Sequence, residues 1–514
     1  MNICLIRPPS VTTLEGMGDD AVAPIGIAYL AATMEVCGHK VQVIDAPGEA
    51  LGRYYSEKEI PEILCLGLTH EELIARIDPT SEVIGISCMF SLEWLTTRSL
   101  IKKIGDAFPE AIIVAGGEHI TAVPEHSMET CPAITYAVLG EGEQIFADLV
   151  ERIENKGDPT EVSGICYSKE GKILRGQFRK RIRELKTIPP PAWHLLPIDN
   201  YLDKHVMSGV DLGRSMPIMA SRGCPYRCSF CSSPQMWGTT WMVRPPQEVF
   251  NEICDYRNRY RATNFDFYDL TMIIKRSWII EFCNLVINSG IKITWQLPSG
   301  TRTDVIDAEI TDLLYRSGCG FITYAPESGS KEMLKKIQKR ISKKKMLKSM
   351  RSAVKSGLNV KASILLGFPG EKIRYVFESL LFIVQMALCG IEDISIFPFS
   401  PYPGSEFFNT LKKDGLIALD DDYYRHLMRG TAALPGANSL CYSEYSVRTL
   451  KFFCLFGTFL FYAISFLRRP NRFFQLWCNV LYQTPKTRLQ RALVILRSRK
   501  RKNIDSCIDN TVPC

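Results

Sequence analysis

Three closely spaced cysteines are the residues whose types and spacing most directly indicate chemistry. Cys224, Cys228 and Cys231 are separated by three and then two residues. Thiolates are the usual protein ligands of iron–sulfur clusters, and three on one loop can hold three corners of a four-iron cluster while the fourth iron stays open. A structural zinc site or free thiols buried in a core are the alternatives. Because zinc normally takes a fourth protein ligand and no other His or Cys lies close by, the spacing favours the cluster.

Four polar residues further along the chain follow predicted strands and could assist this site. Six apolar runs separated by helical patterns predict a partial parallel barrel, and they cover residues 217–221, 264–268, 293–297, 320–324, 360–366 and 393–398. Active residues of barrels lie at the carboxyl ends of the strands. Asp269, Arg302, Glu327 and Ser328 occupy such positions. Each could instead cap a helix, form a surface ion pair or turn the chain.

The amino-terminal part of the chain alternates short buried strands with helices. Uncharged, β-branched runs predict strands at residues 3–6, 41–44, 83–87, 112–115 and 136–139, with helices at 25–37, 97–108 and 144–153. This order predicts a doubly wound parallel sheet whose ligand binds beyond the carboxyl ends of the strands. The candidate contacts at that edge are Ser87, Gly116, Gly117, Gly140 and Glu141. Glycines there permit close backbone approach to a bulky ligand, but simple turns need them as well.

Length and composition predict a folded protein of several domains. The chain has 514 residues, of which 46% are hydrophobic and 23% charged. Pro189-Pro190-Pro191 favours an extended linker, so we divide the chain into residues 1–150, a connector at 151–210, a barrel at 211–405 and a carboxyl-terminal helical region at 406–514. The predicted fold class is α/β: a Rossmann-like doubly wound domain, then a partial (β/α)6 barrel, then a helical basic tail.

The tail carries the positive charge of the protein. From Ser446 onward there are thirteen Lys or Arg and two Asp, a net charge of +11, whereas the whole chain carries +7. Residues 452–467 form an uncharged run somewhat shorter than the roughly 20 residues of a spanning helix. A buried core helix is the alternative. The aromatic and basic pattern that follows, including residues 488–502, suits a helix lying on anionic lipid. Nucleic acid is not an expected partner, because the basic cluster is confined to one end.

Cysteine usage and the amino terminus bear on location. The eighteen cysteines are diluted over a long chain, and the first residues show no basic region followed by a long apolar core. We therefore expect a reducing, cytoplasmic location with most thiols free, and peripheral contact with the inner membrane face through the tail.

The cysteine loop resembles the signature of the radical S-adenosylmethionine (SAM) enzymes. Cys224, Cys228, Phe230 and Cys231 match its C-x3-C-x-aromatic-C pattern. In that family the open iron binds the amino and carboxylate groups of SAM, and an electron from the [4Fe–4S] cluster breaks the sulfonium bond to give a 5'-deoxyadenosyl radical. The resemblance implies the following contacts: Asp269 near the methionyl amino group, Arg302 near its carboxylate, Glu327 and Ser328 at the ribose, and Phe230 at the adenine. Leu270, Met272, Ala325-Pro326 and Lys372 depart from the family pattern.

The amino-terminal segment is similar to the cobalamin-binding domain found ahead of many radical SAM domains. The similarity rests on Pro24 to Ala31, Gly38-His39-Lys40-Val41, Gly116-Gly117-Glu118-His119 and Gly140-Glu141-Gly142-Glu143. The segment lacks the Asp-x-His-x-x-Gly motif of proteins that place a histidine below the cobalt. The resemblance therefore implies cobalamin without a protein histidine ligand, and His39 and His119 are expected to be structural.

Together the two resemblances imply a cobalamin-dependent radical SAM methyltransferase. Such an enzyme moves a methyl group from SAM, via methylcobalamin, to an unactivated carbon or to phosphorus of a small-molecule or lipid-like substrate, and an external donor such as flavodoxin or ferredoxin supplies electrons. The two strand edges should then face each other. A cobalamin-dependent cyclase or oxidase without methyl transfer is one alternative, and a noncatalytic metal-stabilised binding protein is another.

Overall fold

Two largely parallel sheets, each covered by helices, organise the chain. The structure is a computed structural model that describes residues 1–13, 21–57, 60–302, 305–430 and 442–482, together with 487, 489–491, 493–494 and 497. Most of the basic stretch at 488–502 therefore lies outside the described residues. The predicted α/β class and the order of the two folded units are confirmed.

The first sheet holds the five predicted amino-terminal strands. Its order is β10-β9-β8-β7-β6-β1-β3, and β1, β3, β6, β7 and β8 run parallel. The chain passes from β1 to β3 on one side and later to β6 on the other, so the switch point lies between β1 and β6. The strands of this half are β1 (Asn2–Arg7), β2 (Ser10–Thr13), β3 (Lys40–Asp45), β4 (Tyr54–Glu57), β5 (Ile60–Leu66), β6 (Val83–Ser87), β7 (Ile112–Gly116), β8 (Tyr136–Val138), β9 (Ile165–Lys169) and β10 (Lys172–Arg175).

Helices cover both faces of this sheet because its strands are apolar on both sides. The residues of β6, for example, are buried along nearly the whole strand. The predicted helices at 25–37, 97–108 and 144–153 correspond to α1, α4 and α7. The full set is α1 (Ile25–Val36), α2 (Ala46–Glu49), α3 (His70–Ile74), α4 (Trp94–Ala107), α5 (Glu118–Ala122), α6 (Pro124–Thr130) and α7 (Gly142–Glu154).

Two features of this half differ from the sequence-based expectation. The hairpin of β9 and β10 pairs antiparallel with β8 and extends the first sheet, although it lies within the predicted connector. A separate antiparallel sheet of β2, β5 and β4 forms beside it, in a segment for which no strands were predicted.

The second sheet is the predicted partial barrel. Its order, β11-β14-β15-β16-β17-β18, follows the chain, and all neighbours are parallel. The strands are β11 (Ser215–Ile218), β12 (Ser221–Arg222), β13 (Met242–Val243), β14 (Asn264–Phe267), β15 (Thr294–Thr301), β16 (Cys319–Glu327), β17 (Asn359–Leu366) and β18 (Asp393–Pro398). The predicted first strand at 217–221 is split, because β12 leaves the barrel and pairs with β13 instead.

The helices of this half are α8 (Ile198–Asp203), α9 (Ser233–Trp237), α10 (Pro246–Tyr260), α11 (Arg276–Ser289), α12 (Ala308–Arg316), α13 (Lys331–Lys336), α14 (Lys343–Ser356) and α15 (Ile373–Cys389).

The carboxyl-terminal helices do not form a separate unit. They are α16 (Glu406–Lys413), α17 (Asp421–Gly430), α18 (Val447–Arg468) and α19 (Asn471–Leu481). Helices α16 and α17 return to the first domain, where Phe408 and Tyr424 join its core. Helix α18 packs on the barrel against α15 and β18. Its length and composition would also allow it to cross a membrane, and 39% of its most apolar window is buried.

Close packing of α18 on the barrel depends on Gly457. A Cβ atom at this position would lie 2.8 Å from Ile396 Cδ1 and 3.1 Å from Leu380 Cδ2. We expect Gly457→Leu to lower the free energy of unfolding by about 1–3 kcal/mol, because the larger side chain overpacks this contact. Urea denaturation measures the change.

The matched control is Gly26→Leu in α1, where an added Cβ meets no atom within 4 Å. This change should be neutral or slightly stabilising, since leucine has the better helix propensity. Equal effects of the two substitutions would contradict the packing explanation.

Candidate active site

The three cysteines lie on one loop that begins at β12. Residues 223–232 connect this strand to α9, and Gly223 starts the loop with a φ of +86°. A Cβ there would lie 2.2 Å from the carbonyl oxygen of Thr240, so the turn requires glycine. Backbone bonds from Ser229 to Ile337 O (3.1 Å) and from Phe407 to Ser229 O (3.0 Å) fasten the loop to the barrel.

The thiols fit an iron–sulfur cluster better than a single zinc ion. All three are free and half-buried, and Cys228 and Cys231 line a cavity of about 570 Å³. Within the part of the chain that the structure describes, no three His, Cys, Asp or Glu side chains converge closely enough to hold one metal ion. Three soft thiolate donors on one loop are the ligand set of a polynuclear cluster.

Two cations reduce the cost of ionising these thiols. Burial raises the pKa of Cys224, Cys228 and Cys231, and the positive charge of Lys339 acts in the opposite direction on all three. Arg302 does the same for Cys224 and Cys228. Because metals bind thiolates, these charges favour loading of the loop.

Three of the predicted SAM contacts gather beside the loop. The guanidinium of Arg302 lies 3.6 Å from the centroid of the Tyr226 ring, within the cysteine loop. Lys339 Nζ lies 2.8 Å from Glu327 Oε1 and 5.7 Å from the centroid of the Phe230 ring. Glu327, the last residue of β16, has a φ of +64°, which is uncommon for a residue other than glycine. Its carboxylate faces Lys339. The structure therefore brings Phe230, Arg302 and Glu327 together around Lys339.

The other two predicted SAM contacts, Asp269 and Ser328, contact neighbouring protein groups. Asp269 accepts hydrogen bonds from Ala220 N at 3.1 Å and from the Ser221 hydroxyl, so it supports the strand that leads into the loop. Burial raises its pKa to about 6. Ser328 is fully buried and lies 3.3 Å from the Ser379 hydroxyl of α15.

The five residues predicted to contact cobalamin lie on one edge of the first sheet. Ser87 and Gly116 are the last residues of β6 and β7, Gly117 follows β7, and Gly140 and Glu141 follow β8. Gly117 has a φ of +110°, and a Cβ there would lie 2.4 Å from Cys88 O, so this glycine keeps two loops of the edge in contact. A cleft of about 890 Å³, lined by Gly140 and Glu141, opens at this edge. Its size is within the range of cofactor sites.

His39 and His119, two of the four histidines within residues 1–150, each lie within hydrogen-bonding distance of protein groups. His119 is fully buried, its Nδ1 lies 3.0 Å from the Ser91 hydroxyl, and its ring is 4.8 Å from that of Trp94. Burial lowers its pKa to about 3. His39 precedes β3 and therefore lies at the opposite, amino-terminal edge, next to the amino group of Met1.

The cysteine loop and the edge of the first sheet are in direct contact. Arg222 donates to Glu143 at 2.5 Å and lies 3.6 Å from Glu141, and all three are buried. Ser232, at the other end of the loop, donates to Glu118. The two edges face each other as predicted, and Arg222 and Lys339 are positions beside the cysteines that the sequence did not single out. Lys339 lies in a basic run that has the composition of a solvated helix face.

Glu141 lies at the centre of this contact. Besides Arg222, it accepts a hydrogen bond from Ile182 N at 2.7 Å and pairs with Arg181 at 3.3 Å. The carboxylate is thus engaged by protein groups, and Glu141 lines the cleft together with Gly140.

Comparison with known proteins finds a family match for each of the two segments that carry these edges. Residues 19–150 match the B12 binding domain family, and residues 218–383 match the Radical SAM superfamily. The chain is 28% identical over 420 residues to an uncharacterized methyltransferase, PH0819, of Pyrococcus horikoshii, covering 81% of this chain and 84% of the relative. It is 27% identical over 467 residues to the cytidylyl-2-hydroxyethylphosphonate methyltransferase of Streptomyces wedmorensis, covering 84% and 86%.

A cyclase and a solved structure are also similar. The anaerobic magnesium-protoporphyrin IX monomethyl ester cyclase of Synechocystis is 24% identical over 439 residues, covering 85% of this chain and 82% of the relative. The structure of the cobalamin-dependent S-adenosylmethionine radical enzyme OxsB superposes with a TM-score of 0.67 at 15% identity, covering 98% of this chain and 71% of OxsB. This last similarity supports the fold. The chain therefore carries a B12-binding domain at residues 19–150, followed by a domain of the radical SAM superfamily at residues 218–383.

Proposed function

We propose that the protein is a cobalamin-dependent methyltransferase that moves a methyl group from SAM to an unactivated carbon, or to phosphorus, of a small-molecule or lipid-like substrate. The observation that carries this proposal is the direct contact between the cysteine loop and the cobalamin edge through Arg222 and Glu143. Methyl transfer needs the two cofactors to act on one substrate, and this contact holds the cysteine loop against the edge of the first sheet. The methyltransferases among the relatives give further support.

We assign the roles of the chain's own residues as follows. Cys224, Cys228 and Cys231 hold a [4Fe–4S] cluster, and Phe230, Arg302 and Glu327 bind SAM beside it, with Asp269 and Ser328 completing that site. Ser87, Gly116, Gly117, Gly140 and Glu141 form the cobalamin edge. When bound, the cluster supplies the electron that breaks a carbon–sulfur bond of SAM, and cobalamin serves as the methyl carrier.

We propose that each of the four segments defined from the sequence has its own role. Residues 1–150 would bind cobalamin, 151–210 connect, 211–405 carry the SAM chemistry, and 406–514 complete the cores of both halves. The β9–β10 hairpin is shared, since it belongs to the connector by position and to the first sheet by hydrogen bonding.

An external one-electron donor is part of this proposal. The cavity beside Cys228 and Cys231 opens at the surface, where Arg227 and Lys413 are exposed. A small acidic redox protein of the flavodoxin or ferredoxin kind would complement this basic rim.

The second candidate function is a cyclase or oxidase reaction without methyl transfer, and the cyclase relative favours it. A noncatalytic metal-stabilised protein is not retained, because the chain carries a radical SAM domain.

Isotope labelling distinguishes methyl transfer from the second candidate. The enzyme, purified anaerobically with cobalamin, would be incubated with SAM bearing a deuterated methyl group, a reductant, and small-molecule and lipid extracts. We expect a new product that carries the deuterated methyl group, with both 5'-deoxyadenosine and S-adenosylhomocysteine formed. Mass spectrometry detects all three.

Reactions without reductant are the control and should give no 5'-deoxyadenosine. A new product that lacks the label, formed together with 5'-deoxyadenosine, would replace the methyltransferase with the cyclase or oxidase.

A further inference from the structure

Three neighbouring helices expose large apolar side chains on the outside of the barrel. We call this surface the aromatic face and define it by Phe377 and Leu381 on α15, Phe452 and Phe459 on α18, and Phe474 and Trp477 on α19. Each of these side chains is between 51% and 69% exposed. Soluble proteins rarely expose so many large apolar groups in one region, so such a surface indicates a binding partner.

Contacts between the helices make the aromatic face continuous. The rings of Phe377 and Phe453 lie 6.1 Å apart and join α15 to α18. The rings of Phe466 and Phe473 lie 5.8 Å apart and join α18 to α19. The surface therefore extends across three helices of one side of the protein.

The inner side of α18 is fixed to the barrel, which decides how the helix could meet a membrane. Tyr462 donates to Asp393 Oδ1 at 2.6 Å, and both groups are buried. Arg472, at the start of α19, donates to Gly390 O at 2.8 Å and pairs with Glu392. Together with the Gly457 contact, these bonds hold α18 along the barrel wall. A helix held in this way offers one face to a lipid surface and does not cross it.

The charge around the aromatic face identifies the kind of partner. Arg448 and Arg468, near the two ends of α18, are exposed. The chain from Ser446 onward carries +11, against about −4 for the rest. Glu378 is an exposed acid beside Phe377, but it does not change the balance. Aromatic and aliphatic groups flanked by exposed arginines match the interface of a bilayer that contains anionic lipids.

We propose that the aromatic face binds the surface of an anionic membrane, with α15, α18 and α19 lying in the plane of the lipid headgroups. The protein thereby works at a membrane surface without spanning it. The amino-terminal end of α18 adjoins the catalytic edge of the barrel, because Leu450 packs on Gly367, directly after β17. A substrate dissolved in the membrane would then be close to the active site.

Vesicle co-sedimentation of the full-length protein tests this proposal. The probes are vesicles of phosphatidylcholine alone and of phosphatidylcholine with phosphatidylglycerol. We expect binding to the anionic vesicles at low salt, at least about tenfold weaker binding to the neutral ones, and a loss of binding as salt rises. Phe459→Glu and Trp477→Glu should each weaken binding to anionic vesicles by about tenfold or more, since each removes an apolar contact and adds a negative charge.

The matched control is Phe178→Glu, which changes an exposed phenylalanine of the connector, far along the chain from the aromatic face. It should leave vesicle binding unchanged. Thermal unfolding of all three variants checks that they are folded. Vesicle binding that is equal for the two lipid compositions, or that the two aromatic-face variants do not weaken, would overturn the proposal. Self-association that both variants abolish, in place of vesicle binding, would instead assign the face to a second copy of the chain.

Discussion

Replacement of Cys224 by alanine is expected to abolish both cluster assembly and cleavage of SAM. Two thiols cannot hold a four-iron cluster in the arrangement that leaves one iron open. The variant should retain little iron after anaerobic reconstitution, and its formation of 5'-deoxyadenosine should fall to background. Iron analysis, electron paramagnetic resonance of the reduced protein and chromatography of the nucleoside measure these three properties.

Cys254→Ala is the matched control for this experiment. Cys254 is also a free, half-buried thiol, but it lies on α10, outside the loop. Its replacement should leave iron content and SAM cleavage close to those of the natural protein. A Cys224 variant that still showed a reducible cluster, with a signal altered by SAM, would contradict the assignment of the loop.

Replacement of Arg222 by methionine is expected to cause the largest loss of stability. Arg222 is 5% exposed and pairs with Glu143, which is equally buried in the contact between the two domains. Removing one partner of a buried ion pair leaves the other charge uncompensated, so we expect the free energy of unfolding to fall by about 3–5 kcal/mol. Denaturant titration under anaerobic conditions measures this change.

Two further variants show whether the effect arises from the buried pair. Arg276→Met breaks surface pairs with Asp307 and Glu309 and should lower the free energy of unfolding much less than Arg222→Met does. The double variant Arg222→Met/Glu143→Met should recover much of the loss, because it removes both charges and leaves an apolar contact. A double variant as unstable as Arg222→Met alone would show that the ion pair is not the cause.

The parallel strands of both sheets could be predicted from the sequence because each is a short, largely apolar run between helical patterns. The strand ends then located Arg302 and Glu327, and the cysteine motif located Phe230; these three residues do gather beside the cysteines. What could not be predicted comes from contacts between distant segments. The partners Arg222 and Glu143 are 79 positions apart, and no local pattern in either segment indicates the other.

The packing partners of the carboxyl-terminal helices could not be predicted from the sequence either, but for a different reason. The amphipathic character of α17 and α18 predicts that each buries a face, but not which core receives it. In the structure α17 packs on the first domain and α18 on the barrel. A single uncharged run could therefore be interpreted as a core helix or as a membrane helix, whereas α18 is buried on one side and exposed on the other.

The return of α16 and α17 to the first domain has a consequence for how the protein forms on the ribosome. Tyr424 lies with its ring 5.5 Å from His119, and Phe408 and Leu427 belong to the same core. The amino-terminal domain is synthesised first, and domains commonly fold in that order. Here, however, part of its core is encoded more than 250 residues after the end of its last parallel strand. The core of the nascent amino-terminal domain therefore stays incomplete, with apolar surface exposed, until the whole barrel has been translated.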